Sequence, residues 1–239
     1  MREELADIRQ RYPLLTKNCV LLKELDEISL NRLLSMFHEE KWPKATCILN
    51  HKNLSYHFYI ILSGRIKMYQ VDHFGQKEVT LFILSSNDIF DLFCLLDDCE
   101  HDVYYECLDC VKVLSAPMVE VRKWYNQYPA ALKNLLPYAG SQIRMLENFV
   151  SDITFTDIST RILKLLIKNV NKESNRLGVI GDLSNKEIAY LIGSTRAVVN
   201  RHLQKLKRNG IISTTRSRLE VKDLSKLIHL LELQQNRSI

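Results

Sequence analysis

Several features that mark other classes of protein are scarce or missing in this 239-residue sequence. The first residues, MREELADIRQ, are charged where an export signal needs an apolar segment. No stretch approaches the roughly 18 apolar residues of a membrane helix. We therefore expect a cytoplasmic protein with no membrane segment. Its six cysteines are expected to be thiols or ligands rather than disulfides, because a reducing compartment keeps thiols apart.

Signatures of catalysis are also missing. Seven glycines are few for a catalytic α/β scaffold, and the sequence contains no nucleophile elbow, no phosphate-binding glycine loop and no H-E-x-x-H motif. The sequence therefore predicts that the protein is not an enzyme.

What is present is an apolar fraction of 46%, enough for a packed core, and an uneven distribution of charge. Residues 1–154 carry 17 Lys/Arg against 21 Asp/Glu, a net −4, whereas residues 155–239 carry 16 against 7, a net +9. This segregation predicts a polyanion-binding module at the C-terminus, joined to a domain with a different task.

Short apolar segments separated by turn residues fill the region from about residue 44 to 117. YHFYIILSGRIKMYQV, KEVTLFIL and DVYYECLDCVKVLSA predict the strands of an antiparallel roll or barrel. In RIKMYQV the alternation of side chains places Ile66 and Met68 on the inner face and Lys67 on the outer one.

A helical pattern begins after Pro129. Apolar residues spaced 3, 4, 3, 4 and 3 apart form the seam of a helix that pairs with a second copy: Leu136, Ala139, Ile143, Leu146, Val150 and Ile153. The alternative is one amphipathic helix buried on its own domain. Pro137 is expected to kink or restart the helix, so its regular part is predicted from about Tyr138 to Ile153, followed by a hinge at 154–157.

The C-terminal third contains LSNKEIAYLIGSTRAVVNRHLQKLKRNGIISTTRSRLEVKD. Ser184 and Glu187 form a capping box that opens one helix, Gly193 permits a tight turn, and Ser194 or Thr195 caps a second helix. In that second helix the apolar residues share one face, which leaves a polar and basic face outward: Arg196, Asn200, Arg201, Gln204, Lys205, Lys207 and Arg208.

The segment IISTTRSRLEVKD then predicts a β-hairpin wing whose tip residues, Arg216 and Arg218, can reach phosphates. A basic helix alone is often only a solvated face. A capped helix, a glycine turn, an apolar ladder and a basic wing in sequence favour a DNA-binding winged helix-turn-helix.

Two stretches resemble the transcription regulators of the CRP/FNR superfamily: YIILSGRIKMYQVDHFGQKEVTLFILSSNDIFDLF, which is similar to its barrel, and LSNKEIAYLIGSTRAVVNRHLQKLKRNGIISTTRSRLEV, which is similar to its winged helix. The resemblance implies an α+β fold with a cyclic-nucleotide-binding-like β-roll sensor domain (1–128), a dimerisation helix (129–155) and a winged helix-turn-helix (156–239).

The resemblance also implies function. The expected partners are a second copy of the chain, a palindromic double-stranded DNA operator and RNA polymerase. Arg196, Asn200 and Arg201 fall where family members read bases, whereas Ala197 replaces an often acidic base-reading residue, so the operator sequence stays open.

The effector is less evident from the sequence. A cyclic nucleotide needs a Gly-Glu nest and an Arg-Ser pair in the family's pocket, but DIFDLFCLLDDCEHDVYY has Asp91 where glycine is expected and no arginine. An iron–sulfur cluster lacks its clustered N-terminal cysteines, and Cys107 and Cys110 in one strand would face opposite ways. Cys94 and Cys99 are a candidate redox pair.

The resemblance makes haem the preferred prediction, because some regulators of this superfamily use haem to sense diatomic gases. It also places the effector between the roll and the long helix. Met68 on the roll and Met145 on the helix flank are the candidate axial ligands of the iron, with His51, His57, His73 and His101 as competitors. The chain is similar to the HcpR branch of the superfamily, which implies nitric oxide as effector, nitrosative stress as signal and control of detoxification genes. Two alternatives are a thiol- or iron–sulfur-based redox regulator of this fold and an interaction scaffold that binds no DNA.

Overall fold

The structure, a computed structural model, describes residues 12–49, 56–75, 77–90, 92–215 and 218–235. The chain forms two compact units. The first unit extends to Gln70 and resumes over Phe82–Arg144, and the second contains Val71–Leu81 and Met145 onward.

The first unit is built on two four-stranded sheets. Its strands are β1 (His38–Trp42), β2 (Cys47–Leu49), β3 (His57–Ser63), β4 (Ile66–Val71), β5 (Glu78–Leu84), β6 (Ile89–Phe90), β7 (Tyr104–Cys107) and β8 (Val111–Pro117). The sheet orders are β1-β8-β3-β6 and β2-β7-β4-β5. Strand β8 pairs antiparallel with β1 and β3, and β7 pairs antiparallel with β2 and β4, which confirms the predicted roll.

Helices cover one side of this roll: α1 (Leu15–Asn18), α2 (Glu27–Leu34), α3 (Leu92–Asp97) and α4 (Met118–Gln127), with a 3-10 turn at Pro129–Ala131. Helix α2 begins where the Asp26 carboxylate accepts hydrogen bonds from the amides of Ile28 and Ser29, both at 3.0 Å. Phe58, Ile60 and Leu114 are fully buried in the core between helices and sheet. Burying each such side chain contributes about 1.5–3 kcal/mol.

The inner face of β4 is as predicted, but its outer face is not. Ile66 and Met68 are buried, and so is Lys67, at 4% exposure. The Lys67 ammonium lies 2.8 Å from a Glu106 carboxylate oxygen and 4.2 Å from the centre of the Tyr69 ring. These two partners compensate the buried charge, and the apolar stem of the lysine packs against the sheet.

Helix α5 (Leu132–Phe155) continues for 24 residues through Pro137, so the alternative that the helix restarts there is wrong. Pro137 removes one backbone donor, but packing on both sides of it holds the helix in place. Leu135 is fully buried, and Tyr138 and Ala139 pack against the core of the first unit. One lost hydrogen bond therefore costs less than the contacts that an interruption of the helix would break.

The second unit contains α6 (Ile158–Asn169), α7 (Asn185–Leu191), α8 (Arg196–Arg208), β9 (Ile212–Thr215), β10 (Arg218–Val221) and α9 (Leu224–Gln235). The capping box is confirmed: the Glu187 amide donates to Ser184 Oγ at 3.2 Å, and the Ser184 amide donates to Glu187 Oε2 at 2.6 Å. Gly193 has φ +60°, in the left-handed region, so the turn between α7 and α8 forms as predicted.

The last turns of α5 belong to the second unit and contact its other helices. Asp152 forms an ion pair with Lys164 of α6, and Arg161 Nη1 donates to the Ile192 carbonyl at 2.6 Å. A Cβ added at Gly193 would lie 3.1 Å from Ile153 Cδ1. The chain leaves the helix within the predicted hinge at 154–157, but the Asp152–Lys164 ion pair and the contact between Ile153 and Gly193 span that hinge.

Among the described residues, no helix is both long enough and apolar enough to cross a membrane.

Candidate nucleic-acid interface and effector cavity

Helix α8 has one buried and one exposed face. Val199, Leu203 and Leu206 are buried, as predicted, and the Thr195 hydroxyl caps the helix by accepting from the Val198 amide at 3.4 Å. The predicted DNA-contacting residues of this helix are all exposed: Arg196, Asn200, Arg201, Gln204 and Lys205. The apolar ladder thus fixes the helix on the second unit and leaves the basic face accessible.

One member of this face is held by a residue that sequence reasoning missed. Asn185, the first residue of α7, donates a hydrogen bond from Nδ2 to Asn200 Oδ1 at 3.0 Å. The two residues are 15 positions apart on either side of the turn, and no local pattern predicts their contact.

His202 belongs to the same basic stretch but contributes little of the positive charge of that stretch. Burial lowers the pKa of His202 below its ordinary value, and the neighbouring Arg201 lowers it further, while Asp157 acts in the opposite direction. The imidazole is therefore neutral at physiological pH. The positive charge of the exposed face comes from its arginines and lysines.

The predicted wing is confirmed as the β9–β10 hairpin, with Arg218 opposite Thr215 in antiparallel register. Arg218 is exposed. Arg216, predicted at the wing tip, lies outside the described residues. The exposed helix face and the wing suit two roles, because base contacts specify a sequence whereas contacts to phosphates mainly position the protein.

These two roles predict different effects of removing an arginine. Arg201→Ala should cost about 1–3 kcal/mol on a specific duplex, the range for one bidentate base contact, and much less on random DNA. Arg218→Ala should weaken binding to all sequences alike. It should also reduce the slope of log affinity against log salt concentration by about one. Fluorescence anisotropy across a salt series measures both. Equal losses on specific and random duplexes for Arg201→Ala would contradict the assignment.

Helix α5 leaves an apolar row uncovered in a single chain. Leu136, Ile143 and Val150 are 63%, 50% and 61% exposed, and Ile153 is exposed too. Of the predicted seam, Leu146 is half-buried, and Ala139 packs partly against the core of its own unit. Leu135 is the one residue of this helix that is fully buried. An uncovered row of this length fits a second copy of the same helix.

A small cavity of about 20 Å³, partly open to solvent, lies in the first unit. Its walls are apolar or aromatic with one amide: Met68, Phe82, Leu84, Ile89, Phe90, Leu92, Phe93, Tyr105, Tyr138 and Gln142. The Tyr138 hydroxyl is directed at Asp88 Oδ1 and the Ile89 carbonyl, at 3.5 and 3.4 Å. Among the described residues no charged side chain lines this cavity, so these walls supply no counter-charge for the phosphate of a cyclic nucleotide.

One of the two candidate haem ligands lines the cavity of the first unit. Met68 is 5% exposed and forms part of the cavity wall, whereas Met145 is 39% exposed and is not a wall residue. His57, His73 and His101 do not line the cavity either, although the His101 ring packs edge-on against Phe93, which does. His51 lies outside the described residues.

Cys19, Cys94, Cys99, Cys107 and Cys110 form no disulfide, and the described residues contain no cluster of side chains that could hold a metal ion. Cys107 ends β7 and is buried, whereas Cys110 lies beyond the strand and is exposed. The buried Cys94 donates from Sγ to the Cys99 carbonyl at 2.9 Å, and Cys99 itself is exposed. These two residues therefore lie close together, at the end of the helix that also contributes Leu92 and Phe93 to the cavity.

Comparison with known proteins agrees with this architecture. A cyclic nucleotide-binding domain model matches residues 39–128, and a Crp-like helix-turn-helix domain model matches residues 160–230. A CRP-like cAMP-activated global transcriptional regulator of Mycobacterium tuberculosis is 27% identical over 173 residues, 71% of this chain and 77% of that protein. The global nitrogen regulator of a Synechocystis species is also 27% identical, over 68% of this chain and 75% of its own.

Solved structures share the fold. A CooA mutant from Carboxydothermus hydrogenoformans superposes with a TM-score of 0.67 at 23% identity, covering 87% of this chain and 92% of that one. The c-di-GMP-responsive global regulator CLP of Xanthomonas campestris gives a TM-score of 0.68 at 17% identity, over 82% and 99% of the two chains. The two domain models together place the chain in the CRP/FNR superfamily of transcription regulators, whose members bind DNA and act as dimers.

Proposed function

We propose that this protein is a homodimeric regulator that binds a palindromic operator, senses nitric oxide through haem held in the cavity of the first unit, and controls detoxification genes together with RNA polymerase. The observation that carries the sensing part is the cavity wall, in which a buried methionine lies among aromatic and aliphatic side chains. This is the role expected of the HcpR-type regulators, which the sequence resembles.

The relatives do not supply the effector. One is cAMP-activated and another responds to c-di-GMP, so the fold accommodates different signals. Both of those nucleotides are anionic, and an anion needs compensating charge or hydrogen-bond donors. The described walls of this cavity carry no charge. They therefore favour a ligand that is apolar where it contacts them.

The chemistry of the cavity residues fits haem in part, but a cavity of about 20 Å³ would have to widen to hold it. The flat apolar faces of a porphyrin match walls that include Phe82 and Phe90, and the Met68 thioether is a soft neutral donor that suits ferrous iron. Met145 does not line the cavity, so of the two candidate iron ligands only Met68 would be supplied by the cavity wall. Bound haem would provide an iron atom at which nitric oxide binds.

Two cavity residues connect this site to the dimer seam. Tyr138 and Gln142 line the cavity from α5, and each immediately precedes a seam position, Ala139 and Ile143. A change in what the cavity holds would move these two side chains, and one helix carries that movement to the seam. Only an effector that prefers one dimer geometry over another can then alter DNA binding.

A spectroscopic titration tests the proposal. Full-length protein mixed with haem should show a Soret band that changes on reduction and on addition of nitric oxide. Met68→Leu, which conserves volume, should shift that band and weaken haem retention at least about tenfold, as the loss of one ligand predicts. Met36→Leu is the matched control, because Met36 is not a cavity residue, and it should leave both unchanged.

Two outcomes would overturn haem sensing. One is a spectrum and haem affinity that are the same in Met68→Leu as in the wild type. The other is haem-free protein whose operator affinity responds to a hydroperoxide, with the response abolished in Cys99→Ser, which would assign sensing to the Cys94–Cys99 pair instead.

A further inference from the structure

The exposed face of α8 contains one side chain whose orientation is set from outside the helix. Asn200 accepts a hydrogen bond through Oδ1 from Nδ2 of Asn185 at 3.0 Å. Asn185 is half-buried at the start of α7, whereas Asn200 is exposed beside Arg196 and Arg201. The contact therefore joins the two helices of the helix-turn-helix at the surface predicted to meet DNA.

The direction of this bond decides what Asn200 can offer to a base. A carboxamide has an acceptor end and a donor end. Because Oδ1 already holds the Asn185 proton, the Nδ2 hydrogens are the end left to point outward. Adenine is read by asparagine through both ends at once, since it presents N6–H and N7, whereas guanine presents two acceptors, O6 and N7.

We infer that Asn185 is a positioning residue for sequence readout: it orients Asn200 so that the amide presents donors to the major groove and prefers guanine to adenine at the base it faces. This inference rests on the proposed contact between α8 and DNA. It assigns the preference at this position to a residue that touches no base.

Selection of bound duplexes from a fully randomised pool tests the inference for an operator of any sequence. The base pair that Asn200 reads is the one whose preference disappears in Asn200→Ala. At that pair the wild type should bind guanine at least about fivefold more tightly than adenine, a difference that one hydrogen bond can supply. Asn185→Ala should reduce this ratio to within about twofold, because Oδ1 is then released for adenine.

Asn185→Asp gives the sharper result. A carboxylate only accepts, so it should turn the Asn200 amide round, direct Oδ1 outward, and shift the preference to bases with a donor, adenine or cytosine. An acidic residue in the first turn also favours helix formation, so the variant is expected to fold.

The matched control is Asn185→Asp in the Asn200→Ala background. There the added charge should weaken binding to every duplex without changing any base preference. A wild type that prefers adenine at this pair, or a preference that survives Asn185→Asp, would overturn the inference alone. If the wild type shows no sequence preference at all, the result contradicts the proposed function itself, on which the inference rests.

Discussion

Replacing Ile143 by glutamate is expected to convert the protein from a dimer to a monomer. Ile143 lies in the middle of the exposed apolar row of α5 and is 50% exposed in one chain. A glutamate there remains solvated in the monomer, so each chain should still fold. In the dimer, two-fold symmetry would bury one new carboxylate from each chain close to the other.

The expected effect is large. A buried charge without a partner costs about 3–5 kcal/mol, and the dimer would contain two. Since about 1.4 kcal/mol is a factor of ten, the dissociation constant should rise more than about a thousandfold. Affinity for a palindrome should fall in parallel, because a monomer occupies one of two half-sites that lie about 34 Å apart.

Sedimentation velocity at micromolar concentration measures this change directly. Asn148→Glu is the matched control, because Asn148 is exposed on the same helix but lies outside the apolar row. That variant should sediment as the wild type does. An intact dimer for Ile143→Glu would show that α5 is not the interface.

The second large effect is expected at Gly193, in the turn between α7 and α8. Gly193→Val places a β-branched residue at φ +60°, which L-residues with branched side chains avoid, and its Cβ would start 3.1 Å from Ile153 Cδ1. Backbone strain alone costs about 1–3 kcal/mol, and the contact with Ile153 adds to it. The second unit should lose stability. Operator binding should also be lost, because the strained turn would change the angle between α7 and α8.

Hydrogen exchange of the full-length protein locates this effect. Amides of α7 and α8 should exchange faster in Gly193→Val, while those of the roll should be unchanged. Gly193→Asn is the comparison, because asparagine tolerates the left-handed region, so it should retain most of the protection and DNA affinity. Wild-type exchange and affinity in the valine variant would contradict the role assigned to this turn.

Local signals predicted the parts of the molecule that depend on near neighbours. The Ser184–Glu187 capping box, the Gly193 turn and the inward position of Met68 each follow from residues within a few positions. The misses depend on distant residues. Lys67 is buried because the Glu106 carboxylate on β7 compensates its charge, and α5 passes through Pro137 because the core of the first unit holds both sides.

The candidate sites divide in the same way. The outward face of α8 was predictable from helical periodicity, because the apolar ladder defines the opposite side. The Asn185–Asn200 bond and the absence of Met145 from the cavity wall depend on how separate elements pack, which periodicity does not encode.

Helix α5 makes three kinds of contact along one continuous helix: Tyr138 and Gln142 on the cavity, Ile143 on the exposed row, and Ile153 against the turn at Gly193. Each added residue turns everything beyond it by about 100°. One residue inserted after Arg144 would therefore put the two ends of the helix out of phase, although every side chain would still be present. Seven inserted residues make nearly two turns and restore the phase to within about 20°, while lengthening the helix by about 10 Å. The length of this helix can therefore change by seven residues, but not by one, without changing the angle between the side chains at its two ends.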